Sequence, residues 1–181
     1  MLTLQNSKDL LTIKSDISDL VWSKKIDIKN LADKTVYLNS RKNPVSSWSG
    51  KNYFISNSGQ YSQFGFEIES ILDGSEKLLY KVKCDSISLA LVEGIAGGSP
   101  IIDKIGEAEV LIIDISEIKI EDVLTIAQNS NSKLVVLIAN KDKNEQINQA
   151  FTQNLTLIEN GYKIRSKDMT GESTQYLILN K

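Results

Sequence analysis

A chain of 181 residues, 41% of them hydrophobic, has about one domain's length and enough apolar material for a core, which excludes a disordered or fibrous protein. Its 21 basic and 23 acidic residues leave a formal net charge of −2, so generic binding to nucleic acid or an anionic membrane is not expected. The chain has no histidine and one cysteine, Cys84. That removes the usual general base near neutral pH, the commonest imidazole metal ligand, an intrachain disulfide framework and any cysteine-cluster zinc site.

No stretch approaches the roughly 18 apolar residues of a membrane span, and the start MLTLQNSKDLLTIKSDI lacks a basic segment followed by an apolar one. A soluble protein of the cytoplasm is expected. Pro44 and Pro100 are the only prolines, and no Ser/Gly/Pro-rich linker divides the chain, so residues 1–181 are expected to form a single domain.

The first half reads as short strands. Leu10–Lys14, Thr35–Asn39, Tyr53–Ser56, Phe64–Ile71, Lys77–Cys84 and Ile87–Val92 are β-branched or aromatic runs separated by turn chemistry such as Trp48-Ser49-Gly50 and Asp73-Gly74-Ser75. The last triplet predicts a hairpin, and antiparallel pairing is therefore expected in this half.

After Gly98 the rhythm changes. Glu109–Ile115 and Lys133–Ala139 are near-continuous apolar runs, the signature of strands buried on both faces. Between them, apolar residues at positions 120, 123, 124, 126 and 127 predict a helix over Ile120–Gln128, with Glu121 and Asp122 in its first turn. Asp142–Phe151 is a second predicted helix, and Tyr162–Ser166 and Thr174–Leu179 close the chain as strands. Many strands followed by strand–helix–strand–helix predict two sheets packed face to face with helices outside.

Three features carry candidate chemistry. The loop Val92–Pro100 (VEGIAGGSP) is glycine-rich, and such loops can cradle phosphate, but it lacks the G-x-x-x-x-G-K-[ST] spacing and also reads as a plain turn. Glu93, Asp103, Asp114 and Glu117 cluster near the ends of the central strands, where paired acids could do acid–base work; Asp114 equally suits a helix cap. Cys84 has no histidine to activate it and reads as a half-buried structural thiol. No S-x-x-K pattern stands out.

The segment NYFISNSGQYSQFGFEI at Asn52–Ile68 resembles one found in small single-domain hydrolases of the metallo-β-lactamase fold, [VI]-S-G-P-G-E-Y-E-x-x-G-[VI]-x-[IV]. Ile55, Ser56, Gly59, Tyr61, Gly65 and Ile68 keep the pattern; Asn57, Ser58 and Gln60 depart from it. The likeness continues in order through Cys84–Val92, Gly106–Ser116 and Ser132–Asn140, and so spans about the whole chain.

This resemblance implies an αββα sandwich of two mostly antiparallel or mixed sheets with outer helices. It would also imply a metal centre, and there the chain departs. The family's A-D-x-[VI]-L-[VI]-T-H-x-H-x-D-H lines up with Ala32–Pro44, so its two leading histidines fall on Asn39 and Arg41, its aspartate on Asn43 and its last histidine on Pro44. The bridging aspartate falls on Gly94, or on Glu93 if the register slips by one, and the late histidine falls on Ala139. A hydrolytic zinc, iron or manganese ion needs several N/O ligands and an open position for water, which this set does not supply.

The expectation is therefore a degenerate metallo-β-lactamase-like protein with no cofactor, a binding or assembly protein rather than a catalyst. Its expected partner is a protein or a small anionic ligand, met by Arg41, Lys42, Trp48, Glu93 and Asp114, with Arg41 and Lys42 in the former metal pocket. Two alternatives stand beside it: a hydrolase holding metal in a non-standard way through Glu93 and Asp114, and a structural subunit in a homo-oligomer or paired with an active paralogue.

Overall fold

Polar and apolar residues alternate along Leu2–Ser7 and Leu10–Lys14, and the alternation buries Leu2, Leu4, Leu11 and Ile13 on one side. These are strands β1 and β2 of a computed structural model that describes residues 1–7, 10–24, 33–40, 51–106, 108–151, 155–159, 161–171 and 173–181. The strands that follow are β3 (Asp19–Ser23), β4 (Thr35–Asn39), β5 (Asn52–Ile55), β6 (Gly59–Gln63), β7 (Phe66–Leu72), β8 (Leu78–Cys84) and β9 (Ile87–Glu93). Then come β10 (Val110–Asp114), helix α1 (Ile120–Asn129), β11 (Leu134–Ala139), helix α2 (Asn144–Ala150), β12 (Leu155–Ile158), β13 (Tyr162–Ile164) and β14 (Gln175–Asn180).

Two mixed sheets result. One has six strands in the order β13-β1-β2-β3-β4-β5 and the other eight in the order β12-β14-β11-β10-β9-β8-β7-β6. Their facing sides share one apolar core, in which Leu4, Ile13, Leu20 and Val36 of the first sheet meet Tyr80, Leu91, Ile112 and Val136 of the second. On the far side of the eight-stranded sheet, Val123, Ile126 and Ala127 of α1 and Ile147 of α2 cover Val92, Ile113, Leu137 and Ile178. The expected sandwich of two sheets with outer helices is therefore observed, its two described α-helices both lying on the eight-stranded sheet.

The predicted hairpin is present, with Leu72 opposite Leu78 across the Asp73 turn. Asp73 Oδ1 accepts from the backbone N–H of Ser75 at 2.9 Å and of Lys77 at 2.7 Å. Phe64, predicted as the start of a strand, lies instead in the next turn: Phe64 and Gly65 both have positive φ between Gln63 and Phe66, which pair across the β6–β7 hairpin.

Antiparallel pairing does not hold throughout the first half. β3–β4 and β4–β5 are parallel. Parallel neighbours need a long crossover rather than a tight turn, and residues 24–34 and 40–51 supply the length. The predicted strands also omit β1, β3, β6 and β12. The edge strand β6, Gly-Gln-Tyr-Ser-Gln, shows why: its one inward aromatic, Tyr61, is flanked by exposed Gln60 and Ser62, so composition gives little strand signal.

Candidate functional site

Parallel strands β9, β10, β11 and β14 end at a common edge of their sheet, the place where α/β architectures put their ligands. The end of β4 meets the same edge. The Ser40 carbonyl accepts from the backbone N–H of Leu78 at 3.0 Å, and the Asn39 carbonyl accepts from the Tyr80 hydroxyl at 2.6 Å. Lys77, next to Leu78, donates its ammonium to the Gly94 carbonyl just past β9.

Glu93 and Asp114 sit opposite each other in the β9–β10 register. The alternation that puts Leu91 and Ile112 in the inter-sheet core puts both carboxylates on that same inner face. Both are buried, and each has its own lysine. Lys24, one residue past β3 of the other sheet, lies 2.9 Å from Glu93 Oε1 and 3.1 Å from Glu117 Oε1. Lys181, one residue past β14, lies 2.7 Å from Asp114 Oδ2 and 2.8 Å from Ser116 Oγ. Asp114 Oδ1 caps the following 3-10 turn by accepting from the Ser116 backbone N–H at 2.9 Å and from its hydroxyl. Lys143 covers the same turn by donating to the carbonyls of Ile115 at 3.1 Å and Ser116 at 3.4 Å.

Lys24, Glu93, Asp114 and Lys181 line a cavity of about 10 Å³, whose apolar wall is Leu11, Trp22 and Ile138. The indole N–H of Trp22 is buried there without a hydrogen-bond partner among the described residues. A space of this size holds about one water.

The positions predicted from sequence fall out differently. Glu93 and Asp114 are brought together, but as ion-paired carboxylates. Ala139 reaches the same edge with its methyl group in the helix-covered cluster, on the opposite face from Asp114. Asn39 shares the alternation of Thr35 and Tyr37, away from the core residues Val36 and Leu38. Gly94 carries φ +61°, a backbone conformation that selects glycine, and a Cβ there would fall 2.7 Å from Lys77 Nζ, the far end of a flexible side chain. Asp103 is exposed on the 3-10 helix Pro100–Ile105. Arg41, Lys42, Asn43, Pro44 and Trp48 lie outside the described residues.

In the glycine-rich loop, the Gly97 N–H donates to Asp122 Oδ1 at 2.9 Å and so points at a carboxylate of the chain itself. A Cβ at Gly97 would lie 3.0 Å from the Asp122 carbonyl, so the loop packs onto the first turn of α1. Cys84 is buried, and burial followed by the neighbouring Asp85 carboxylate pushes its thiol up, which disfavours the nucleophilic thiolate.

Lys24, Lys181, Ser116 and Trp22 were not singled out by sequence. The available signal was positional: each lies at or just past the C-terminal end of a strand reaching this edge. Ser116 and Lys181 have the spacing of a Ser–Lys dyad, yet the protons run the wrong way for one. Ser116 gives its hydroxyl proton to Asp114 Oδ1, and Lys181 donates to Asp114 Oδ2 and to Ser116 Oγ, so the serine proton is directed at the carboxylate and not at the amine.

The metal ion implied by the sequence resemblance does not fit this donor set. Among the described residues no three Asp, Glu, Cys or His side chains are grouped to hold an ion, and the two inward carboxylates already carry ammonium partners. Among the described residues, too, no helix is long and apolar enough to cross a membrane.

No family model matches the chain, and no curated protein matches it in sequence. Solved structures do match its shape. A candidate Zn-dependent hydrolase of the metallo-β-lactamase superfamily from Thermotoga maritima aligns at TM-score 0.74 with 15% identity, covering 99% of both chains. A candidate metal-dependent hydrolase from Parabacteroides distasonis aligns at TM-score 0.60 with 13% identity, covering 98% of this chain and 92% of the other. The metallo-β-lactamase fold protein YhfI from Bacillus subtilis aligns at TM-score 0.57 with 8% identity, covering 100% and 97%. The chain has the metallo-β-lactamase fold.

Proposed function

We propose that this chain is a metal-free form of its fold that acts by binding rather than by hydrolysis. The observation that supports this reading is the state of the two inward carboxylates: Glu93 and Asp114, the acids best placed to hold a cation, are each closed off by a lysine of the chain itself. A hydrolytic metal needs converging donors and one open coordination position. Gly94 and Ala139 add no donor side chain, and Ala139 faces the wrong side of the sheet.

Binding is then the work of the same edge. The loop Val92–Pro100 adjoins it, and Arg41, Lys42 and Trp48, which lie outside the described residues, are the further contacts the sequence offers. A small anion or a protein partner suits the two basic residues and the aromatic.

The experiment is elemental analysis of the purified protein together with assays on phosphodiester, lactone and β-lactam substrates, with and without added zinc, iron or manganese. The expected result is no stoichiometric metal and no metal-dependent turnover. One or two tightly held ions per chain, lost when Glu93 or Asp114 is replaced, would overturn the reading and make the protein a hydrolase with a non-standard site.

A further inference from the structure

We propose that strand β6 is a self-association edge, along which a second copy of this chain adds its own β6 in antiparallel register about a twofold axis at Tyr61. This goes beyond the binding reading above and does not depend on it.

The edge itself is the first observation. β6 ends the eight-stranded sheet, and among the described residues no strand lies beyond it. A sheet edge offers unpaired backbone N–H and C=O groups, which proteins ordinarily blunt with lysine, proline or a bulge. Gly59–Gln63 contains no charge and no proline, and its pairing with β7 runs without a bulge. Gln63 and Phe66 close the two-residue turn at Phe64-Gly65 and so exchange hydrogen bonds; alternation then turns the backbone groups of Gln60 and Ser62 away from β7. The other edges differ. β13 is short with Lys163 at its centre, and β5 and β12 adjoin residues outside the described set.

The side chains select the occupant. Gln60 and Ser62 are exposed on the outer face, where they line a groove of about 810 Å³, and Tyr61 is half-buried against the inner core. A strand laid along β6 must bring polar uncharged residues to the outer face and an aromatic or apolar one to the inner face. β6 itself meets both demands. With Tyr61 opposite its own copy, Gln60 meets Ser62 of the second copy and Ser62 meets Gln60, each pair exchanging backbone N–H and C=O. The Tyr61 ring is already fixed, edge-on to Tyr53 at 6.1 Å with its hydroxyl donating to the Asn57 carbonyl at 3.1 Å, so little freedom is lost when a second ring packs on it. Charge does not oppose the contact. The first charged residues inward from the edge, Glu67 and Glu69 of β7, stand opposite Lys83 and Lys81 of β8, with Lys81 3.5 Å from Glu69.

Sedimentation velocity of the full chain over a concentration series, with no metal or ligand added, tests this beside two variants, Gln60→Lys/Ser62→Lys and Gln60→Lys/Ser62→Glu. Both positions are exposed, so both variants are expected to keep the parental circular-dichroism spectrum. One short strand is a small interface, and the parent is expected to pass from monomer to dimer with dimer present by roughly 100 µM. In the first variant lysine faces lysine across the twofold, and the dissociation constant is expected to rise about tenfold or more. In the second, lysine faces glutamate, and dimerisation is expected to return to at least the parental level.

A parent that stays monomeric over the whole series overturns the proposal. So does a dimer that the double-lysine variant leaves unchanged, since its interface is then elsewhere, and so do species larger than a dimer, which a closed twofold pair does not form. A lysine–glutamate variant that dimerises no better than the double-lysine one overturns the pairing of Gln60 with Ser62. Should the double-lysine variant lose its fold, Ser62→Pro, which removes an outward N–H and no bond to β7, takes its place with the same expectation. None of these outcomes bears on whether the chain holds metal, so the metal-free reading stands or falls separately.

Discussion

Tyr80 of the eight-stranded sheet gives its buried hydroxyl proton to the Asn39 carbonyl of the six-stranded sheet at 2.6 Å, with the Ile55 carbonyl a second acceptor at 3.0 Å. One phenol thus ties the ends of β4 and β5 to β8 at the margin of the candidate site. Burial, then the neighbouring Tyr61, pushes the phenol far above the ordinary tyrosine range, opposed by the hydrogen bond to Asn39.

Two outcomes are expected from Tyr80. Tyr80→Phe leaves two carbonyls without their donor and should destabilise by about 1–3 kcal/mol in urea unfolding. The folded chain holds this proton more tightly than the unfolded chain does. Its contribution is therefore complete below the unfolded value of about pH 10 and is lost as pH rises above it. Denaturation midpoints measured from pH 8 to 11 should fall less steeply in Tyr80→Phe than in the parent.

At Gly94 the backbone sets the penalty. Gly94→Ala places a side chain at φ +61° and displaces Lys77 from the Gly94 carbonyl. A loss of about 1–2 kcal/mol is expected. Because the flexible end of Lys77 can move aside, adding Lys77→Ala should recover little of it; full recovery would mean that contact, not backbone strain, sets the cost.

Trp22 is 3% exposed and has a buried N–H without a partner among the described residues. Trp22→Phe removes the orphaned donor along with part of the ring, two effects of opposite sign, so stability should change by less than about 1 kcal/mol. Trp22→Ala empties the site and should cost about 3–5 kcal/mol. A Phe variant as unstable as the Ala variant would show that the N–H is satisfied, for example by a water in the adjoining cavity.

Cys84 provides a kinetic check. With its thiol buried and pushed up, native protein should react with a disulfide reagent at least about 100-fold more slowly than protein in denaturant. Rapid reaction of the native thiol would contradict the placement of Cys84 in the core.

Local pattern made much of this fold legible. Leu10–Lys14 and Thr35–Asn39 are strands with the predicted bounds, and the apolar runs around Val110–Asp114 and Leu134–Ala139 are the doubly buried strands they were expected to be. The helical spacing of residues 120–127 matches α1. Such features follow from neighbours in sequence, because periodicity and propensity act over a few residues. The absence of histidine was equally plain from sequence.

What sequence alone could not supply was pairing at a distance. Whether β4 lies parallel to β3 and β5 depends on crossovers and on what the sheet buries, not on the strand's own residues. Asp114 reads locally as a turn cap, and it is one; its partner Lys181 is 67 residues away. Glu93 meets Asp114 only because β9 and β10 pair in that register, and Lys24 meets Glu93 only because the two sheets face each other. Charge pairing inside a fold depends on proximity in space and low local dielectric, and tertiary structure creates both.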